Sequence, residues 1–376
     1  MNATSLIRQL HDAGVSVWLD DLSRPLLDGG VLQRYVAEHA LSGVTCNPTI
    51  FAAALRGGDG YDEAIAELVA GGITDPRELY FSLALTDVRD AASLLRDTYD
   101  SSLGRDGYVS FECTPDVAHD AGATVRQARE VWSRLDTPNL MIKAPATDAG
   151  IVAIEQLTAA GINVNVTLLF GVGRYEQAAR AYQRGLERRV QEGEPIDHVR
   201  SVASVFVSRI DASVEKLIGA DALAPGAAGI ANAQTVYERA LQLHRSPAWQ
   251  SLRERGAHWQ RPLWASTAPK SDRLGDVTYV EALALPDTII TVPEKTLLAF
   301  ADHGRPRLVA SDPRGAREVL RALADRGVDL EIVGGELERA GVTAFGESYA
   351  EVLERLRASD VAALRGQAVD LAGQQS

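Results

Sequence analysis

Short apolar, β-branched runs recur along this chain, each followed by a longer stretch whose apolar positions fall at helical spacing. Residues 15–20, 43–47, 108–113, 140–143, 162–168, 202–207, 262–266 and 288–292 read as strands. Between them, 148–160 carries Ile151, Ile154 and Leu157 on one helical face, and 175–192, 213–217, 230–244 and 294–301 read as helices on the same grounds. Strands separated by helices pair in parallel through right-handed crossovers. Eight such units close naturally into a (β/α)8 TIM barrel, which is the expected α/β fold. An open doubly wound sheet is the alternative, but no glycine-rich dinucleotide fingerprint follows any strand. Gly226-Ala227-Ala228-Gly229 has too few glycines and precedes a helix with no strand before it.

Two regions depart from the repeat. Residues 48–107 are long enough for several helices between the second and third strands, and 301–376 adds further helices ending in a polar tail at Gly373-Gln374-Gln375-Ser376. No Pro-, Gly- or Ser-rich linker divides the chain, so one domain over 1–376, with helical additions at about 48–107 and 301–376, is expected.

Composition narrows the classes of function. The chain of 376 residues is 46% hydrophobic and 24% charged, an ordinary globular balance. Its formal net charge of −13 argues against nucleic-acid or anionic-membrane binding, though a few local cations suffice to hold one phosphate. No apolar stretch is long enough to cross a bilayer, and the N-terminus lacks signal-peptide architecture, so a cytoplasmic protein is expected. The two cysteines, Cys46 and Cys113, make no disulfide framework; alternation turns both toward the helical layer, as buried reduced thiols. The histidines show no HExxH spacing and there is no CxxC, so neither metal nor cofactor is expected.

In a barrel, reactive groups cluster at the C-terminal strand ends. Lys143 lies in Asn139-Leu140-Met141-Ile142-Lys143-Ala144-Pro145-Ala146-Thr147-Asp148-Ala149-Gly150, an apolar run with one ammonium near its end. Such a lysine either snorkels to water or is chemically employed. In a dry barrel end it is expected to lose proton affinity, and a free amine attacks carbonyls. Polar groups mark the other ends: Asp20 on the first strand, Asn47 on the second, Glu112 on the third, Asn165 and Thr167 two apart on the fifth, and Ser204 and Arg209 on the sixth and the loop after it. Asp21 follows Asp20, and alternation lets only one face inward; Asp20 is taken, leaving Asp21 as a surface or capping acid. Each has a plainer alternative: Glu112 as ion-pair partner of Lys143, Asn47 as turn chemistry before Pro48, Asn165 as a buried backbone partner, Thr167 as a β-former, and Arg209 as partner of Asp211.

Taken in order, these segments resemble the long bacterial transaldolases. Gly43-Val44-Thr45-Cys46-Asn47-Pro48-Thr49-Ile50-Phe51 is similar to the family's first signature, and Met141 to Ile151, continuing through Glu155-Gln156-Leu157, to its second. Gly161-Ile162-Asn163-Val164-Asn165-Val166-Thr167-Leu168-Leu169-Phe170 extends the match, which runs from about Trp18 to about Thr291. The resemblance implies Lys143 as the Schiff-base lysine, Glu112 and Thr167 as the pair that holds a catalytic water, and Asp20 as the acid/base on the sugar hydroxyl. It implies Asn47 and Asn165 as amides on a dihydroxyacetone unit, and Ser204 and Arg209 as phosphate ligands. Many members have an arginine after the seventh strand; here Ala265-Ser266-Thr267-Ala268-Pro269-Lys270-Ser271 offers Lys270 as a substitute.

The chemistry asks for these types in its own right. Expelling water from a carbinolamine needs an acid, which Glu112 supplies, and starting C–C cleavage needs a second carboxylate in a different environment, which Asp20 supplies. A guanidinium suits phosphate through its planar fork. The implied reaction moves a dihydroxyacetone unit between sugar phosphates in the pentose phosphate pathway. The alternatives are fructose-6-phosphate aldolase activity, whose members tend to have glutamine at the position of Glu112 and tyrosine at that of Phe206, and a non-catalytic sugar-phosphate-binding barrel. A monomer and a homodimer remain equally open.

Overall fold

The computed structural model describes residues 5–57 and 60–357; the polar tail at 373–376 lies outside them. Eight strands form one closed barrel: β1 (Ser16–Leu19), β2 (Gly43–Thr45), β3 (Tyr108–Glu112), β4 (Leu140–Pro145), β5 (Val164–Leu169), β6 (Ser201–Phe206), β7 (Arg261–Ala265) and β8 (Ile289–Val292). Each pairs in parallel with the next, and β8 returns to β1 with Trp18 beside Thr291. The expected helices are present as Asp148–Ala159, Val172–Gln191, Ser208–Ile218, Ala227–His244 and Glu294–His303. Arg209 is therefore helical, in the first turn after β6, rather than in a loop.

Alternation divides the apolar residues into two layers. Val17, Leu19, Val44, Val109, Ile142, Val164 and Val166 face outward and pack with the helices. Trp18, Tyr108, Met141, Val202, Leu263 and Ile289 fill the barrel interior. Gly43 is part of that filling. A Cβ there would lie 2.5 Å from the Trp18 ring, so only glycine lets β2 run beside the indole.

The N-terminal end of the barrel is plugged. The buried Arg261 guanidinium, at the start of β7, donates to Asp106 Oδ1 at 3.2 Å and to Ser16 Oγ at 2.7 Å, and Ser16 Oγ donates to Asp106 Oδ2 at 2.9 Å. A buried charge needs such a partner set.

The additions are helical. Pro48–Gly57, Tyr61–Ala70, Pro76–Leu94 and Arg96–Ser101 lie between β2 and β3, and Pro313–Ala324 and Leu330–Arg357 follow β8. Leu330–Arg357, at 28 residues, packs on Pro48–Gly57, Pro76–Leu94, Ser208–Ile218 and β5, and so runs across the open end of the barrel.

Gly43→Ala is expected to destabilise the protein by about 1–3 kcal/mol, the usual cost of overpacking a full core. Urea unfolding of variant and parent checks this; equal midpoints would mean that the indole has room to move.

Candidate active site

The open end holds a cavity of about 340 Å³. Asp20, Asn47, Lys143, Ser204, Phe206, Arg209 and Lys270 line it, together with Thr45, Ser266, Thr291 and Phe345, which the sequence reading did not single out. Glu112, Asn165 and Thr167 are buried behind that lining.

Local sequence explains how Lys143 is presented. After β4, Thr147 caps the next helix by accepting from Gly150 N–H at 2.9 Å, and its own hydroxyl donates to the Ala118 carbonyl. A Cβ on Gly150 would meet the Pro145 carbonyl oxygen, so the helix can start this close to the strand only with glycine there. The other motif is built alike. Asn47 Oδ1 accepts from Ile50 N–H at 3.0 Å, capping the helix that Pro48 begins, and Asn47 also lines the cavity. The turn reading and the lining position of Asn47 thus hold together.

Lys143 Nζ sits 3.1 Å from Glu112 Oε2 and donates to the Cys46 carbonyl at 3.3 Å, so the two motifs touch through the lysine. Burial alone would lower the ammonium's proton affinity, but the Glu112 and Asp20 carboxylates outweigh it and hold it above the ordinary lysine value. The pull of these carboxylates runs against the loss of proton affinity expected from burial alone. Burial pushes Glu112 above the ordinary carboxyl value against the pull of Lys143. The pair is placed for proton exchange.

Behind the lysine runs a chain of amide and hydroxyl groups. Ser204 Oγ donates to Asn165 Oδ1 at 2.7 Å, and Asn165 Nδ2 donates to Ser110 Oγ at 3.0 Å. Ser204, which the resemblance implies as a phosphate ligand, thus links the cavity lining to Asn165. Across the barrel, Thr45 Oγ1 donates to Asp20 Oδ1 at 2.7 Å and lies 3.1 Å from Thr291 Oγ1. Among the described residues the buried Thr167 Oγ1 has no hydrogen-bond partner, and Glu112 Oε2 meets Lys143 Nζ.

The cations stand apart. Arg209 lies 5.1 Å over the Phe206 ring, and among the described residues no carboxylate pairs with it. Asp211 is engaged elsewhere, accepting from Gly229 N–H at 2.9 Å and the Tyr279 hydroxyl at 2.8 Å, so the ion-pair alternative fails. Burial lowers the Arg209 value from its usual one. Lys270 is exposed at the rim. Among the described residues no carboxylate pairs with Lys270 either, and a cation left so can take an anion.

Two expectations change. Asp21 is a half-buried acid, neither surface nor cap, raised to about 6 by burial, Glu294 and Asp20 in that order. Cys113 is buried, but Cys46 is only partly so, and both thiols are free.

An amine, two carboxylates and unpaired cations gathered at one mouth of a (β/α)8 barrel define an enzyme that works on an anionic carbonyl substrate. The family described as Transaldolase/Fructose-6-phosphate aldolase matches residues 17–356. A transaldolase of Frankia alni is 44% identical over 92% of this chain and 95% of its own, and one of Mycolicibacterium smegmatis is 44% identical over 92% and 95%. Transaldolase 1 of Streptomyces avermitilis is 41% identical over 98% of each chain. The chain belongs to the transaldolase/fructose-6-phosphate aldolase family, and it is a transferase. Among the described residues no helix is long and apolar enough to cross a membrane.

Asp21→Asn tests the electrostatics. The folded state holds the Asp21 proton more tightly than the unfolded chain, whose value is near 3.8, so its ionisation costs stability above about pH 6. The variant is expected to be more stable than the parent at pH 8, with the gain shrinking as pH falls from 6 toward 4. Denaturation midpoints at pH 8, 6 and 4 measure it; a gain that does not depend on pH would count against the burial argument.

Proposed function

We propose that this enzyme is a transaldolase that moves a dihydroxyacetone unit from a ketose phosphate, such as sedoheptulose 7-phosphate or fructose 6-phosphate, to an aldose phosphate, such as glyceraldehyde 3-phosphate or erythrose 4-phosphate. The Lys143–Glu112 contact of 3.1 Å carries the reading. Lys143 passes a proton to Glu112, and the freed amine adds to the ketose carbonyl. Glu112, now the acid, protonates the carbinolamine hydroxyl, which leaves as water and gives the iminium. The buried Thr167 hydroxyl, without a partner, supports its role beside Glu112 in holding that water.

Asp20 then takes the proton of the sugar hydroxyl beside the bond that breaks. The bonding electrons pass into the iminium to give an enamine, and the shortened sugar leaves as an aldehyde. Enamine attack on the acceptor aldehyde, with Asp20 returning the proton, reverses these steps. Thr45 keeps one Asp20 oxygen occupied, which fixes the other toward the cavity. Asn47 and Asn165 bind the dihydroxyacetone hydroxyls, and Arg209 binds phosphate with Lys270 as a second cation and Ser204 beside it. Phe206 sets the apolar wall below Arg209. Glutamate at 112 and phenylalanine at 206 favour transfer over the aldolase alternative. The enzyme acts as one domain in the cytoplasm, within the pentose phosphate pathway.

Borohydride with fructose 6-phosphate is expected to label Lys143, read by mass spectrometry, and Lys143→Met to abolish both label and turnover. Folded parent protein that turns over without labelling would overturn the covalent mechanism. Arg209→Ala is expected to lower kcat/KM for phosphorylated ketose by about 10–100-fold, the worth of a charged hydrogen bond, with little effect on an unphosphorylated ketose. Equal losses on both would remove Arg209 from the phosphate.

A further inference from the structure

Phe345 comes from outside the barrel, on helix Leu330–Arg357, yet it lines the same cavity as Lys143 and is only 4% exposed. Its placement is built into the barrel itself. The β5–β6 register shifts between Val166 and Leu169, and Leu168 takes a left-handed backbone at φ 54°. A non-glycine residue there stores strain of about 1–3 kcal/mol. The bulge brings Leu168 to the interior side with Phe206 and Phe345, while Val166 and Leu169 stay in the outer layer.

Helix Leu330–Arg357 docks on that raised leucine. A Cβ on Gly341 would come within 2.7 Å of Leu168 Cδ2 and 3.6 Å of Arg209 Nη1, so the helix approaches this closely only through glycine. Glu338 pairs with Arg174 at 3.2 Å, Ser348 bonds Thr49 at 2.9 Å, and the Tyr349 ring meets Tyr80 edge-on at 5.1 Å. Phe345 sits between these anchors along the helix and shares the lining of the lysine's cavity with Phe206.

We infer that Phe345 is a specificity-determining residue that keeps water from the reacting carbon and so decides the fate of the intermediate; this rests on the Schiff-base reading above. Once the first aldehyde has left, the enamine carbon forms its new bond either to a proton or to the acceptor's carbonyl carbon. Protonation gives the iminium of dihydroxyacetone, and water then releases free dihydroxyacetone and the amine. An apolar ring over the mouth removes the water that would deliver the proton, whereas an aldose acceptor brings its own carbonyl and a phosphate for Arg209. Partition between transfer and simple cleavage is thereby set by a residue beyond the eight strands.

The test compares Phe345→Ala, Phe345→Met and Gly341→Ala in the full chain. Dihydroxyacetone release from fructose 6-phosphate without acceptor is measured against transfer to erythrose 4-phosphate, with borohydride labelling of Lys143 in parallel. Phe345→Ala is expected to raise the ratio of release to transfer by about tenfold, and Phe345→Met to keep it near the parent's. Gly341→Ala, which pushes the helix off Leu168, is expected to raise the ratio as well, and it decides the matter if Phe345→Ala does not fold. A merely structural role would lower both rates together. An unchanged ratio in folded, labelled variants overturns the role of Phe345, whereas a parent that never labels overturns the Schiff-base reading instead.

Discussion

A lysine amine and a glutamate carboxyl group held 3.1 Å apart, both nearly closed off from solvent, are the constraint around which this protein is arranged. A buried ion pair of this kind adds little to stability, because desolvating both charges offsets most of their attraction. Its upkeep is visible in the surroundings. The Cys46 carbonyl takes one ammonium proton, Asp20 adds a second negative charge nearby, and the Thr147 and Asn47 caps lock the segments that carry lysine and carbonyl. A pair so costly to hold still and so readily converted by one proton shift suits covalent chemistry better than scaffolding.

Charge is distributed against the average. The chain carries a formal −13, yet the cavity mouth presents Arg209 and Lys270 without carboxylate partners. Elsewhere several guanidinium groups are matched, as Arg239 is with Glu176 and Arg174 with Asp148 and Glu338.

The eight strands were legible because each is a short apolar run closed by a turn residue, and burial on both faces leaves that signal strong. The polar groups at the strand ends were legible by the same alternation: Asp20 and Lys143 line the cavity and Asn165 is buried behind it, as a period of two expects. What escaped had physical reasons. Arg24–Asp28 and Val31–His39 are too short, and split by Gly29-Gly30, for a helical period to emerge. The lysine's charge depends on carboxylates brought from β1 and β3, which no local window contains. The bulge at Leu168 breaks the very alternation on which the reading relied, and Phe345 reaches the site from a helix nearly two hundred positions along the chain from it.

The plug of Arg261, Asp106 and Ser16 has a kinetic meaning. One end of the barrel is sealed by a buried ion pair, and the other, which holds the lysine's cavity, is partly roofed by a helix. On the proposed mechanism the departing aldehyde and the incoming acceptor would use that mouth in turn, both presenting their phosphate to the same cations. That reading implies a substituted-enzyme cycle, in which the first product leaves before the second substrate enters and high concentrations of one compete with the other for the empty mouth.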